Sequence, residues 1–178
     1  MGIFVGEYGG KRPRIHESAY IAGGVVIVGD VTVGEDSSLW FHAIARGDQA
    51  PITIGSRTNI QDMCVLHISD GNPCEIGNCV TVGHRAVIHG ARIGDNTMVG
   101  IGSIVLDGAE VGEYSIVAAG SVVTPGKKFP PRSFLLGTPA RRIRDVTPEE
   151  MEWFSAVGGK YVERAKVYRE ISPVEKNG

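Results

Sequence analysis

The sequence lacks an excess of charge of either sign and lacks any long apolar run. Its 178 residues carry 18 Lys and Arg against 20 Asp and Glu, for a formal net charge of −2. That balance argues against nucleic acid and membrane surfaces as partners. The longest apolar run, "YIAGGVVIVG", is too short to span a bilayer. Because Glu7 and Lys11 interrupt the opening residues, we expect them not to act as a signal segment.

Cysteine is also scarce, with three residues and no framework spacing. An odd number of unpatterned cysteines indicates reduced thiols and a cytoplasmic location. Cys74 and Cys79 are too far apart for the usual C-x₂-C zinc pair, so we expect core or surface thiols. The length suits one domain with a tail.

Glycine, by contrast, is abundant, at 25 of 178 residues, and follows aliphatic residues at regular intervals. The aliphatic residue recurs every six positions, apart from insertions after Ala45 and Leu66 and a five-residue step after Ile88. The aliphatic positions are Ile15, Ile21, Ile27, Val33, Leu39, Ala45, Ile54, Ile60, Leu66, Ile76, Val82, Ile88, Ile93, Val99, Val105, Val111, Val117 and Val123.

A small or β-branched residue precedes many of these aliphatic positions by two, as Thr58, Ala86 and Ser103 do. Two inward residues alternating with outward neighbours are typical of short strands. We therefore predict an all-β fold, a single-stranded parallel β-helix with three strands to a coil of about 18 residues. A β-sandwich would need hairpin turns and looser spacing.

The C-terminal segment predicts an α-helix that covers the β-helix. Thr147 and Glu150 form a capping box around Pro148, and the pair "GG" at 158–159 weakens the middle of the helix. The predicted apolar face contains Met151, Phe154, Val157, Tyr161, Ala165 and Tyr168. The predicted segments are a lead-in (1–14), the β-helix domain (15–126), a connection (127–146) and the helix (147–172).

Two histidines five residues apart, His84 and His89, fit neither the helical nor the strand spacing of a metal pair. Counting three aliphatic positions per coil places His67 and His89 at the same outward position of adjacent coils. They would stack about 5 Å apart and could share a metal. His84 follows the preceding strand, roughly 15–20 Å away around the prism. A neighbouring copy in a threefold assembly would bring its His84 to the pair.

Other polar residues fall in the same columns. Arg46 lies one coil below His67, and Gln61 and Asp62 lie one coil below the segment that contains His84. Outward positions on any β-helix are polar, but the convergence of several in two columns favours a functional site. His16 and His42, on the entry coils, have no evident partners.

Several motifs then make the chain resemble the gamma-class carbonic anhydrases over nearly its whole length. These are "RGD" at 46–48, "NIQD" at 59–62, "VLH" at 65–67, "GHRAVIHG" at 83–90, "VAAGSVVTPGK" and "GTPARRIRDVT". The resemblance implies a left-handed β-helix that forms a homotrimer. It also implies reversible hydration of CO₂ to bicarbonate at Zn²⁺, with Fe²⁺ or Co²⁺ as alternatives, between protomers.

The resemblance further assigns individual residues. His67 and His89 would bind the metal from one protomer and His84 from the next. Arg46 and Asp62 would pair across the interface, and Asp48 and Gln61 would orient the water at the open metal position.

The chain departs from the family pattern in the segment after His67. Some members carry a long acidic loop there with a proton-shuttling glutamate, whereas this chain has only "HISDGNPCEIG". Gln49 also stands where some members have glutamate. We therefore expect proton export to limit the rate, with Asp70, Glu75 or buffer as the acceptor.

Two other functions fit the repeat. Many hexapeptide β-helices are CoA-dependent acyltransferases, and a metal-stabilised trimer could serve as a non-enzymatic scaffold. Metal content and a CO₂ hydration assay distinguish the three.

Overall fold

A computed structural model describes residues 2–171 as a parallel β-helix of about seven coils followed by one α-helix. This confirms the predicted fold class. Two predicted segments extend beyond this range. The lead-in begins at residue 1 and the helical segment ends at residue 172, and both of these residues lie outside the described residues. The elements are β1 (Phe4–Gly6), β2 (Arg14–Ile15), β3 (Tyr20–Ile21), β4 (Val26–Val33), β5 (Ser38–Leu39), β6 (Ile44–Ile54), β7 (Asn59–Ile60), β8 (Val65–His67), β9 (Cys74–Ile76), β10 (Thr81–Val82), β11 (Val87–His89), β12 (Arg92–Ile93), β13 (Met98–Val99), β14 (Ile104–Val105), β15 (Glu110–Val111), β16 (Ile116–Val117), β17 (Val122–Val123), β18 (Lys128–Phe129), β19 (Ser133–Gly137), β20 (Ala140–Asp145) and α1 (Pro148–Arg169).

Each strand of the solenoid pairs in parallel with strands one coil away. One face is the ladder β3-β5-β7-β10-β13-β16-β19, and β8-β11-β14-β17 and β9-β12-β15-β18 form the other two faces. The long strand β6 joins those two faces, because it pairs with β8 at one end and with β9 at the other. The hairpin strand β20 runs antiparallel to β19 at the C-terminal end.

The core is the stack of inward side chains that the six-residue repeat predicts. Sixteen of the eighteen aliphatic positions, from Ile27 to Val123, are at most 2% exposed. Inward Ser and Thr hydroxyls bond to main-chain carbonyls of the next coil, as Thr58 Oγ1 does to the Gly77 oxygen at 2.7 Å. No buried side-chain polar atom of residues 2–171 lacks a hydrogen-bond partner, so the hydroxyls enter the core without an unsatisfied group.

The corners of the coils use left-handed backbone. One corner is formed by Gly90, Gly108 and Gly126, with φ of 55°, 66° and 68°, stacked one coil apart. Another corner has Met63 and Arg85 in the same conformation, with φ of 61° and 59°. Left-handed backbone costs a side-chain-bearing residue about 1–2 kcal/mol, so the repeat fixes these corners despite that cost.

A column of alternating charge runs up the face formed by β9, β12, β15 and β18. Glu75 pairs with Arg92, whose Nε lies 3.0 Å from the carboxylate, and Glu110 pairs with Lys128 at 2.7 Å. Arg92 and Glu110 are strand partners in the same ladder. Opposite charges therefore face each other at each coil-to-coil step of this column.

Helix α1 begins at the predicted capping box, in which Glu150 N donates to Thr147 Oγ1 and Thr147 N donates to the Glu150 carboxylate. The helix continues through the glycine pair, and Gly158 is buried with its α-carbon side toward Thr81. A Cβ at Gly158 would lie 4.0 Å from Thr81 Oγ1, an ordinary van der Waals contact, so alanine would also fit against β10 at this position. Among residues 2–171, no helix has the length and apolarity needed to cross a membrane.

The aromatic residue Trp40 anchors the helix to the β-helix. Its ring centroid lies 5.4 Å from that of Tyr161 and 5.0 Å from that of Tyr168, both in edge-on geometry. Tyr20 packs on the same indole at 5.3 Å. These contacts fix α1 over the face that contains β3, β5, β7 and β10.

Candidate metal centre

The structure stacks His67 and His89 at the ends of β8 and β11. The two residues are direct partners in the ladder, since each follows an inward aliphatic residue of its coil. Their ring centroids lie 4.9 Å apart, and His67 Nδ1 approaches His89 Nε2 at 3.0 Å. Two ring nitrogens thus point at one small region outside the prism.

His84 lies in the corner before β11 and does not join that pair. The following residue, Arg85, has a φ of 59°, and this turn directs the chain onto the next face. Within residues 2–171, no three His, Cys, Asp or Glu side chains converge closely enough to hold one metal ion. A single chain therefore brings together two of the three predicted ligands.

Two of the three histidines donate their Nδ1 to a carboxylate. His84 Nδ1 lies 2.7 Å from Asp62 Oδ2, and His89 Nδ1 lies 2.7 Å from Asp107 Oδ1. A carboxylate at Nδ1 favours the tautomer that protonates this nitrogen, which leaves Nε2 free as a metal donor.

Asp48, from the coil below, contacts the opposite ring nitrogen of His67, Nε2, and so leaves Nδ1 on the side of His89. Its Oδ1 lies 3.2 Å from His67 Nε2, and its other oxygen accepts a hydrogen bond from Arg46. Burial opposes ionisation of Asp48, but the hydrogen bonds from Arg46 and His67 outweigh it and lower the pKa of this carboxyl. Asp48 is therefore an anion that can orient the His67 ring.

Gln61 supports the main chain of the His84 corner. Its side chain is buried, and its Oε1 accepts a hydrogen bond from the His84 amide at 3.2 Å. Its Nε2 donates to Asn59 Oδ1, and Asn59 in turn donates to Thr81 Oγ1 at 2.8 Å. This chain of amides connects the corner to the strand face under α1.

Asp107 was missed by the sequence reasoning, although the column count could have found it. Val105 pairs with Ile88, so Asp107, two residues after Val105, lies one coil above Gly90.

Comparison with known proteins agrees with the repeat and identifies a family. A family model described as bacterial transferase hexapeptide (six repeats) matches residues 90–125. A carbonic anhydrase of Geobacillus kaustophilus is 46% identical over 92% of this chain and 90% of its own length. Gamma carbonic anhydrase 2, a mitochondrial protein of Arabidopsis thaliana, is 37% identical over 89% of this chain and 59% of its own.

The chain belongs to the gamma-class carbonic anhydrase family. This confirms the resemblance and the predicted enzyme class, a lyase of the gamma carbonic anhydrase type. A crystal structure from Bacillus cereus, provisionally named an acetyltransferase, superposes with a TM-score of 0.94. It is 42% identical and covers 97% of this chain and 100% of its own.

The remaining histidines stay apart from the site of this carbonic anhydrase family member. His16 Nδ1 lies 2.9 Å from Ser18 Oγ, and the ring of His42 packs over Gly24. Of the two acidic residues considered for proton export, Glu75 is held by Arg92, whereas Asp70 lies in the short loop after His67.

A cavity of about 410 Å³ lies between the N-terminal half of α1 and strands β10, β13, β16 and β19. Its wall is mainly apolar, and its mouth carries the exposed indole of Trp153. Gln61 and Gly83 line one end, next to the corner that carries His84. In this family member the cavity therefore contacts Gln61, which holds the amide of His84, but none of the three histidines lines it.

Proposed function

We propose that this chain catalyses the reversible hydration of CO₂ to bicarbonate at a divalent metal held between copies in a homotrimer. Zn²⁺ is the proposed metal, with Fe²⁺ and Co²⁺ as alternatives. The observation that carries the proposal is the pair His67 and His89, whose facing ring nitrogens lie 3.0 Å apart. Because the chain's three cysteines are unpaired, we place the protein in the cytoplasm.

The donor set fits such a metal. Imidazole nitrogens suit Zn²⁺, Fe²⁺ and Co²⁺, and carboxylates that hold the second ring nitrogen are typical of histidine metal sites. His84, His89 and His67 each have such a carboxylate, in Asp62, Asp107 and Asp48. When bound, the metal supplies a Lewis acid that lowers the pKa of water.

A second copy is needed because His84 lies on a different edge from the pair. In the proposed threefold assembly, the edge with His84 meets the face with His67 and His89 of the next copy. Exposed apolar side chains on that edge support an interface, with Met63 and Ile101 50% and 57% exposed.

The polar residues around the site then have distinct tasks. Asp48, kept ionised beside Arg46, orients His67 and accepts hydrogen bonds near the reacting water. Gln61 fixes the amide of His84. Asp62 orients the His84 ring, and in the assembly it is the proposed partner of Arg46 from a neighbouring copy.

Acyl transfer is the second candidate, because the Bacillus cereus structure, at 42% identity, carries an acetyltransferase name. A CoA-dependent acyl transfer needs one histidine base and no stacked pair. The pair of histidines and the three carboxylate partners favour hydration of CO₂.

Stopped-flow measurement of CO₂ hydration tests the proposal, with protein loaded with Zn²⁺, Fe²⁺ or Co²⁺ and light scattering on the same sample. We expect a metal-dependent trimer whose rate rises with buffer concentration at fixed pH and ionic strength, because a shuttle glutamate is missing. A metal-loaded trimer without hydration at any buffer concentration would reject the enzyme activity. A folded, metal-loaded monomer would reject the shared site.

A further inference from the structure

We infer that Asp107 is a positioning residue that fixes the tautomer of His89 and directs its Nε2 toward His67. The inference rests on the proposed function, in which that nitrogen binds the metal. The motifs that carry the family resemblance do not include this residue.

The first observation is the hydrogen bond itself. Asp107 Oδ1 lies 2.7 Å from His89 Nδ1, a length typical of a charge-assisted bond. A carboxylate accepts only, so Nδ1 is the protonated nitrogen and Nε2 holds the lone pair. That lone pair faces His67 Nδ1, 3.0 Å away.

The second observation is that the main chain places this carboxylate. The Gly126 amide donates to the Asp107 carbonyl at 2.8 Å, and the Gly108 amide donates to the Gly90 carbonyl at 2.7 Å. Asp107 thus sits in a corner held to the coils above and below it. Its side chain reaches His89 over Gly90, where any Cβ would collide with the carboxylate.

The third observation concerns charge. Within residues 2–171, Asp107 has no Lys or Arg nitrogen within 4.0 Å, and His89 is its one ion-pair partner. Asp48, in contrast, divides its oxygens between Arg46 and His67. The charge of Asp107 therefore acts on the imidazole alone, which makes its Nε2 a stronger donor.

Nitrogen NMR of metal-free protein with ¹⁵N-labelled histidine reads the tautomer without any metal or activity. Wild type should show His89 protonated at Nδ1, whereas Asp107→Ala should shift it toward protonation at Nε2. Asp107→Asn keeps an acceptor without charge and should retain the wild-type tautomer. Asp145→Asn, which changes a carboxylate on the exposed hairpin, is the control and should change nothing.

Competition between the protein and a chromophoric chelator for Co²⁺ then measures affinity, and the visible spectrum of bound Co²⁺ reports ligand geometry. We expect a ten- to hundredfold loss for Asp107→Ala and a smaller loss for Asp107→Asn. Unchanged tautomer and unchanged Co²⁺ affinity in Asp107→Ala would overturn the inference. A wild-type protein with the Nδ1-protonated tautomer but no Co²⁺ binding would instead overturn the proposed function and leave the hydrogen bond established.

Discussion

Replacing Gly90 by alanine should weaken metal binding without touching a ligand. A Cβ at this position would collide with Asp107 Oδ1 and would lie 2.9 Å from Asn72 Cβ and 3.2 Å from the Asn72 carbonyl. Asn72 would meet the new Cβ with its own Cβ and its main-chain carbonyl, which can move only with the backbone. Asp107 would meet it with the end of a side chain, which can rotate. We expect Asp107 to rotate away from His89.

The matched control is Gly126→Ala, two coils up the same corner. Gly90 and Gly126 have φ of 55° and 68°, and a Cβ at Gly126 would meet nothing within 4 Å. The left-handed conformation costs alanine about 1–2 kcal/mol, and the loss of unfolded-state freedom offsets about 0.4–1 kcal/mol. Both variants should therefore lose about 1 kcal/mol of unfolding free energy, with a further loss at Gly90 from the contact with Asn72.

Only Gly90→Ala should lose metal affinity, by about ten- to hundredfold, or about 1.4–2.8 kcal/mol. Chelator competition with Zn²⁺ measures the affinity. Thermal unfolding measures the loss of unfolding free energy, and it is done at one protein concentration because the stability of the proposed trimer depends on concentration. Equal Zn²⁺ affinity in Gly90→Ala and Gly126→Ala would refute the claim that Gly90 is needed for the hydrogen bond between Asp107 and His89.

Three further outcomes are expected. His84→Ala should abolish stoichiometric metal binding in elemental analysis, whereas His42→Ala should keep it, and full occupancy in the first variant would exclude His84 as a ligand. Hydrogen bonds from Arg144 lower the pKa of Glu150 from 4.5 to about 2, so the stability it contributes is present above pH 4.5 and is lost as pH falls toward 2. Urea unfolding should accordingly show Glu150→Gln less stable than wild type at neutral pH and equal to it near pH 2, and a constant difference would contradict this. Burial raises the pKa of the Cys64 and Cys74 thiols to about 12, so Ellman's reagent should react only with the half-buried Cys79 in native protein at pH 8. Reaction of all three thiols would show that Cys64 and Cys74 are not buried.

The repeat predicted the coil and the face on which each histidine and Gln61 lie, because a β-helix converts sequence spacing directly into vertical stacking. The six-residue step and two insertions were enough to place His67 beside His89 and to separate His84 from both. The same count set Gln61 one coil below Gly83, as the pairing of Ile60 with Val82 shows.

Contacts between columns could not be predicted in this way, since they depend on rotamers and on the absence of side chains. Asp107 reaches His89 only because residue 90 is glycine. The docking of α1 is a similar case. The helix was evident from its cap, but its buried residues include Gly158 and Val162, which the predicted apolar face omitted. Which face it covers depends on the Trp40 cluster, whose members are distant in sequence.

The alternating column of Glu75, Arg92, Glu110 and Lys128 has a consequence for how the chain finds its fold. Coils of a solenoid are nearly interchangeable, so a folding chain can stack one coil on the wrong neighbour. If the coil of Glu75 skipped its neighbour and stacked on the coil of Glu110, two carboxylates would face each other, and Arg92 would meet Lys128 in the same way. Like charges directly opposite in a sheet are destabilising. The column thus destabilises any arrangement of the β-helix in which one coil is skipped and favours the native order of coils.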